Sequence, residues 1–311
     1  MKCLVLGGGG FIGKHLCEGL LARGYQVRVL DRPRLDLDDA KFLTSRVEWL
    51  EGDFTNVVDV AAALEGCRWV FHLVSTTLPK NSNDNPLYDL ESNVASTLRL
   101  LDLIRNSDNT RKIIFVSSGG TVYGVPRQTP IPENHPTEPL CAYGIGKLAI
   151  EKYLELYRVL HGLDYAVIRL SNPYGEYQRT HGAQGVIPIF IHKALHNEPI
   201  EIWGDGSVVR DYVYIGDVVE ALVSVMNYDG PERVINIGSG VGTSLNELVQ
   251  ILQSVIGETI ACRYVAGRGF DVSASVLDIS RARTVLGWNP RVSLQEGIKR
   301  VLEHKLGHTR P

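Results

Sequence analysis

A doubly wound α/β fold around a parallel sheet is the expectation for this 311-residue chain, on three grounds. Short apolar runs alternate with segments of helical spacing through the first half, which is the rhythm of βαβ units. The runs are nearly continuous rather than alternating in polarity, as strands covered on both faces should be. Four glycines close the first run and open the first helical segment, the position at which such folds receive phosphate.

Cys3–Leu6 is the expected first strand and Phe11–Ala22 the first helix. Gln26–Leu30 forms a second strand ending at Asp31, Val47–Leu50 a third, and Val57–Leu64 the helix that follows. Trp69–Val74 is a fourth strand, and the apolar spacing of Leu87–Ile104 predicts one long helix. Lys112–Val116, the helix Ile145–Leu160 and the strand Tyr165–Leu170 complete the regular half. Beyond Asn172 the rhythm loosens into a helix Val186–His196, a strand Ile200–Trp203, a helix Val218–Met226, strands Val234–Ile237 and Ile260–Tyr264, and two or three further helices. Five prolines between Val125 and Pro139 mark a long ordered loop over the sheet edge.

Composition narrows the classes of function. The chain is 44% hydrophobic and 22% charged, with a net charge of −3 and no long basic run, so neither nucleic acid nor a membrane surface is an expected partner. No window reaches eighteen apolar residues, so no span is expected. The five cysteines include no CxxC pair; they read as reduced thiols of a cytoplasmic protein rather than a zinc site or a disulfide framework. His192 and His196 share a helical face, but no glutamate follows His192, so a solvated face is expected and no metal.

Two motifs carry chemistry. Gly7, Gly10 and Gly13 lie in a strand-to-helix turn with Phe11 and Ile12 between them, where glycine lets a pyrophosphate approach the backbone. Asp31 ends the second strand, placed to accept hydrogen bonds from an adenosine ribose diol and to repel a 2′-phosphate. Arg32 and Arg34 beside it are groups that accommodate NADP in other proteins; with Asp31 present, NAD is the expected cofactor. Farther on, Tyr143 and Lys147 are four residues apart, hence on one helical face. A phenol of ordinary pKa near 10 needs a neighbouring cation to act as a base at neutral pH, and Lys147 is placed to supply it.

Together with Gly52-Asp53-Phe54, His72-Leu73, Ser117-Ser118-Gly119-Gly120-Thr121-Val122-Tyr123-Gly124, Arg169-Leu170-Ser171-Asn172-Pro173-Tyr174-Gly175 and Arg210-Asp211-Tyr212-Val213, these motifs run essentially end to end. The chain resembles the nucleotide-sugar epimerase/dehydratase group of extended short-chain dehydrogenases/reductases. The resemblance implies a Rossmann-like NAD-binding domain, residues 1–170 plus about 211–238, and a smaller nucleotide-sugar domain, residues 171–210 and 239–311. It implies that Asp53 and Phe54 lie against the adenine, Leu73, Val74 and Ser75 along the dinucleotide, and Asn93 near the nicotinamide half. It further implies that Asn172, Arg210 and Arg268 meet the sugar diphosphate, the two arginines as a clamp suited to their forks of donors. Trp203 either meets the uracil or is a core tryptophan. Ser275 stands where related enzymes gate the sugar pocket, and its small size implies room for an N-acetylated sugar.

The implied reaction is NAD-dependent 4-epimerisation of a UDP-hexose or UDP-N-acetylhexosamine through a 4-keto sugar. Tyr143 takes the C4 hydroxyl proton, and Lys147 lowers the phenol's pKa and holds the nicotinamide ribose. One departure is plain: the family's catalytic Ser/Thr falls on Gly119. Thr121 is the first substitute for that hydroxyl and Ser118 the second, because a strand reverses side-chain direction at each residue. Nucleotide-sugar 4,6-dehydratases carry Asp-Glu where this chain has Gly120-Thr121, so dehydration is not expected. A 4-keto-6-deoxysugar reductase and a non-catalytic NAD-binding regulator remain alternatives. The resemblance also implies a homodimer through the helices at Leu87–Ile104 and Ile150–Leu160.

Overall fold

The computed structural model describes residues 1–33, 41–79, 81–178, 185–267 and 272–308. In chain order the strands are β1 (Lys2–Leu6), β2 (Gln26–Asp31), β3 (Glu48–Glu51), β4 (Cys67–His72), β5 (Lys112–Ser118), β6 (Asp164–Leu170), β7 (Asn172–Tyr174), β8 (Ile200–Trp203), β9 (Val209–Tyr214), β10 (Val234–Ile237), β11 (Gly242–Ser244), β12 (Cys262–Val265) and β13 (Ala274–Ser275). The helices are α1 (Phe11–Ala22), α2 (Lys41–Thr44), α3 (Val57–Leu64), α4 (Pro86–Asp89), α5 (Ser96–Arg105), α6 (Ala142–His161), α7 (Val186–Leu195), α8 (Ile215–Met226), α9 (Leu245–Ile256), α10 (Ser280–Leu286) and α11 (Leu294–His308).

Seven strands form one sheet in the order β10-β6-β5-β4-β1-β2-β3, and every pairing in it is parallel. This is the α/β, Rossmann-like fold expected. Both faces are covered, which is why the strands read as unbroken apolar runs. Cys3, Val5, Val29, Ile114 and Ile168 pack with α1 and α8 on one face. Leu4, Leu6, Ile113, Phe115 and Val167 pack with α3, α5 and α6 on the other. The strand order turns about β1 and β4, so the carboxyl ends of these strands flank the crevice where such folds hold ligands.

Three elements differ from expectation in ways that shape the site. Leu87–Ile104 is not one α-helix: α4 and α5 are joined by a π-helical turn, Leu90–Ala95. Its inner face is polar, and the looser turn offers carbonyls to side chains. The Thr97 hydroxyl donates to the Asn93 carbonyl at 2.6 Å and Ser96 donates to Glu91 at 3.2 Å. Second, α6 starts at Ala142 rather than Ile145, so Tyr143 lies in its first turn. Third, β9 comes from the Arg210–Val213 stretch and pairs with β7, β11 and β13 in a separate four-stranded sheet. Its anchor is Asp211, a fully buried carboxylate that accepts the amides of Ser239 (2.7 Å), Gly240 (3.2 Å) and Leu277 (3.2 Å). The Pro-rich loop is tied to the same region, with the Ile131 amide donating to Val276 at 2.8 Å and the Asp278 amide to Ile131 at 2.9 Å.

Candidate active site

The glycine turn has the shape of a phosphate cradle. Gly7 takes a φ of +82°, and a Cβ on Gly13 would stand 2.4 Å from the Gly7 carbonyl oxygen; neither position accepts a side chain without distortion. No side chain caps α1 and no acidic residue lies in its first turn, so the positive end of the helix, at Phe11, Ile12 and Gly13, is open to an anion. Asp31 Oδ2 accepts the Gly9 amide at 2.8 Å and Oδ1 accepts the Arg32 amide at 2.9 Å. The Arg32 guanidinium pairs with Asp53 at 2.9 Å. These features fit a dinucleotide. Trp49, not singled out from sequence, closes the same corner: its ring lies 3.0 Å from where a Gly9 Cβ would be.

Along the rest of the crevice, the Phe54 ring turns inward onto His72, with centroids 4.8 Å apart. Leu73 leaves the sheet with its amide still on the Leu6 carbonyl at 3.1 Å, and Val74 packs against Gly7. Ser75 donates to the Thr77 carbonyl at 2.9 Å. The Asn93 side chain accepts the Thr76 amide at 2.9 Å and donates to Asp89 at 3.2 Å, which pins this loop against the π turn.

Tyr143 and Lys147 share the inner face of α6 at the carboxyl end of β5. The Lys147 ammonium donates to the Val116 carbonyl at 3.0 Å, 5.6 Å from the Tyr143 ring centroid and 4.7 Å from that of Phe115. Burial holds this ammonium down to about 8, against the opposing pull of Asp89 and Glu151. The phenol is raised above its ordinary value, first by burial and then by Cys141 and Asp89. The lowering expected from Lys147 is not what this arrangement gives, because desolvation, with Cys141 and Asp89 beside it, disfavours the phenolate.

The hydroxyl question has a steric answer. A Cβ on Gly119 would stand 2.6 and 3.0 Å from the two Leu277 methyls and 3.3 Å from the Leu170 carbonyl oxygen, so serine does not fit there without displacing Leu277. Ser117, on the α6 face of β5, donates to Glu151; Ser118, the next residue, takes the opposite face. Thr121 packs its Cβ 3.3 Å from where a Gly144 Cβ would be, beside Tyr143. Its hydroxyl is buried and has no hydrogen-bond partner among the described residues.

Of the residues assigned to the sugar nucleotide, Arg210 and Ser275 are cross-strand neighbours in β9 and β13. Arg210 is braced by the carbonyls of Val209 (2.8 Å) and Val272 (2.7 Å). Asn172 donates to the Asp211 carbonyl at 3.0 Å, which joins β7 to the same sheet. Trp203 is 42% exposed and so is not a core tryptophan. Arg268 lies outside the described residues. No group of three or more His, Cys, Asp or Glu able to hold a metal occurs among the described residues, and none of their helices is long and apolar enough to cross a membrane.

A model of the NAD-dependent epimerase/dehydratase family matches residues 3–238. The chain is 39% identical over 309 residues to the UDP-glucose 4-epimerase of Mycolicibacterium smegmatis, covering 97% of this chain and 98% of that one. Its structure is similar to that of a Thermotoga maritima UDP-glucose 4-epimerase with UDP-glucose, at 36% identity and a TM-score of 0.93 over 99% of each chain. It is also similar to a Thermus thermophilus UDP-glucose 4-epimerase in complex with NAD, at 34% identity and a TM-score of 0.90, again over 99% of each.

Proposed function

This chain belongs to the NAD-dependent epimerase/dehydratase family, and from that premise we propose that it inverts C4 of a UDP-hexose or UDP-N-acetylhexosamine through a 4-keto sugar. The observation that carries the reading is the Tyr143–Lys147 pair at the carboxyl end of β5, two strands from the dinucleotide turn at the end of β1. The Gly7–Gly13 turn and Asp31 would hold NAD, which would supply hydride acceptance and return at C4. Tyr143 takes the proton from the C4 hydroxyl and gives it back. Thr121, ahead of Ser118, supplies the second hydrogen bond to the C4 oxygen. Lys147, fixed by the Val116 carbonyl, provides the cation beside the phenol. Arg210, braced by two carbonyls, meets the diphosphate with Arg268 and Asn172, while Trp203 meets the uracil and Ser275 leaves room for an acetamido group. The strands and loops beyond Asn172, except α8 and β10, form the sugar-nucleotide side of the protein.

The test is incubation of the purified protein with UDP-glucose and with UDP-N-acetylglucosamine, without added cofactor, followed by chromatography. Both C4 epimers should form. Turnover only with consumption of NAD(P)H would make the protein a reductase, and ligand binding without turnover would make it a regulator.

NAD should bind at least about tenfold more tightly than NADP, because Asp31 is held at the strand end by two amides and repels a 2′-phosphate. Dissociation constants measured on apoprotein check this, and Asp31→Ala should narrow the gap. Equal affinities in the unaltered protein would remove the assignment.

A homodimer is proposed through the mutually touching α4, π turn and α6. They leave Leu87, Leu90, Leu156, Val159 and Leu160 exposed, apolar side chains that a partner's helices would cover. Light scattering should give a dimer at micromolar concentration and a monomer for Val159→Glu. A cytoplasmic setting is supported by the five cysteines, all free thiols.

A further inference from the structure

One buried carboxylate beside the reacting pair has no part in the chemistry described above. Asp89, the last residue of α4, is 2% exposed. Its Oδ1 accepts hydrogen bonds from the Thr77 hydroxyl and from the Asn93 amide. Its Oδ2 lies 3.0 Å from the point where a Cβ on Gly146 would stand. Gly146 falls between Tyr143 and Lys147, so a residue without a side chain is what allows this turn of α6 to come up against the carboxylate.

The charges facing Lys147 come from every element packed around it. On α6 itself are Tyr143, one turn before, and Glu151, one turn after. Glu151 is compensated: the Arg169 guanidinium of β6 meets it at 2.6 Å, and the Ser117 hydroxyl of β5 donates to it. From β5 come only the Val116 carbonyl and the Phe115 ring. From β4 comes His72, whose ring is buried and held down to about 3 by that burial and by Lys147, so it is uncharged at neutral pH. Asp89 has hydrogen bonds from neutral donors and no cation paired with it among the described residues. Once Arg169 and Glu151 cancel, one cation and one carboxylate are left in the same buried region, and an uncompensated charge of either sign there is costly.

We infer that Asp89 is the resident counter-ion of Lys147, a positioning residue that keeps the lysine charged in the ligand-free protein and adds to the burial and the Cys141 thiol that hold the Tyr143 hydroxyl protonated. The inference rests on the reading of Tyr143 as the group that moves the C4 proton. Asp89 opposes the effect of burial at Lys147 and adds to it at Tyr143, which is the sign required at both places.

The test uses full-length protein with 13Cε-labelled lysine, the Lys147 signal being identified by its loss in Lys147→Met. In Asp89→Asn the Lys147 titration midpoint should fall by about one pH unit, the low end of the shift that one nearby opposite charge produces. The pH at which kcat/KM levels off should move down with it. Thr77→Val, which removes a hydrogen bond to the same carboxylate but no charge, should leave the midpoint in place. A folded Asp89→Asn whose Lys147 midpoint does not move overturns the inference. Should that variant fail to fold, Asp89→Ser decides, because it removes the charge while its hydroxyl can still bond Thr77 and Asn93, and a Lys147 midpoint that stays in place overturns the inference. The lysine titration needs no substrate, so its outcome stands apart from the incubation that tests epimerisation.

Discussion

Tyr143→Phe should lower kcat by about a thousandfold, the scale of a lost general acid–base group, and leave KM within about twofold. The ring stays in place over Lys147, 5.6 Å from the ammonium, so packing and the charge nearby are preserved while the exchangeable proton is gone. An effect confined to kcat marks a group that acts only when the proton moves. The unaltered protein should also show kcat/KM rising with pH as a growing fraction of the phenol gives up its proton and levelling off near pH 8, because Lys147, held down to about 8, loses its charge there while the phenol, raised by burial, is still mostly protonated. The variant should lack the rising limb. Retention of more than a few per cent of the rate would place the base elsewhere.

Thr121→Val should separate activity from stability. The Thr121 hydroxyl is buried with no partner among the described residues, and a buried donor left unsatisfied costs about 1–3 kcal/mol. Replacing it by a methyl of the same shape should therefore leave the melting temperature unchanged or raise it. If that hydroxyl holds the C4 oxygen in the transition state, kcat should fall by about a hundredfold. A more stable variant with full activity would make Thr121 a bystander. The companion change, Gly119→Ser, does not restore a missing hydroxyl. It drives a Cβ into Leu277, which is buried and held by the bond from its amide to Asp211, and overpacking of this kind costs about 1–3 kcal/mol. Gly119→Ser should cost less in a Leu277→Ala background than in the unaltered protein, read as a double-mutant cycle by thermal melting, and an equal cost in both would show that the collision lies elsewhere.

What local pattern determines was legible in the residues alone. The parallel sheet followed from unbroken apolar runs, the tight strand-to-helix turn from Gly7, Gly10 and Gly13, and the shared helical face of Tyr143 and Lys147 from their spacing. Each depends on neighbours in sequence, through helical period, strand period or the missing Cβ of glycine. Contacts between distant segments depended on the tertiary structure. Leu277 fills the space at Gly119 from the other end of the chain, Asp211 gathers the amides of Ser239, Gly240 and Leu277, and β9 becomes a strand because of partners that no local period announces. The long helix was broken by a π turn whose Glu91 and Asn93 carbonyls accept the hydroxyls of Ser96 and Thr97 from α5. The state of Tyr143 is the sharpest instance. Its spacing from Lys147 brings a cation near the phenol, but desolvation, which sums over everything packed around a group, raises its pKa instead. Spacing along one helix determines which groups can meet, and only the packing of the whole chain sets the dielectric and the counter-charges in which they act.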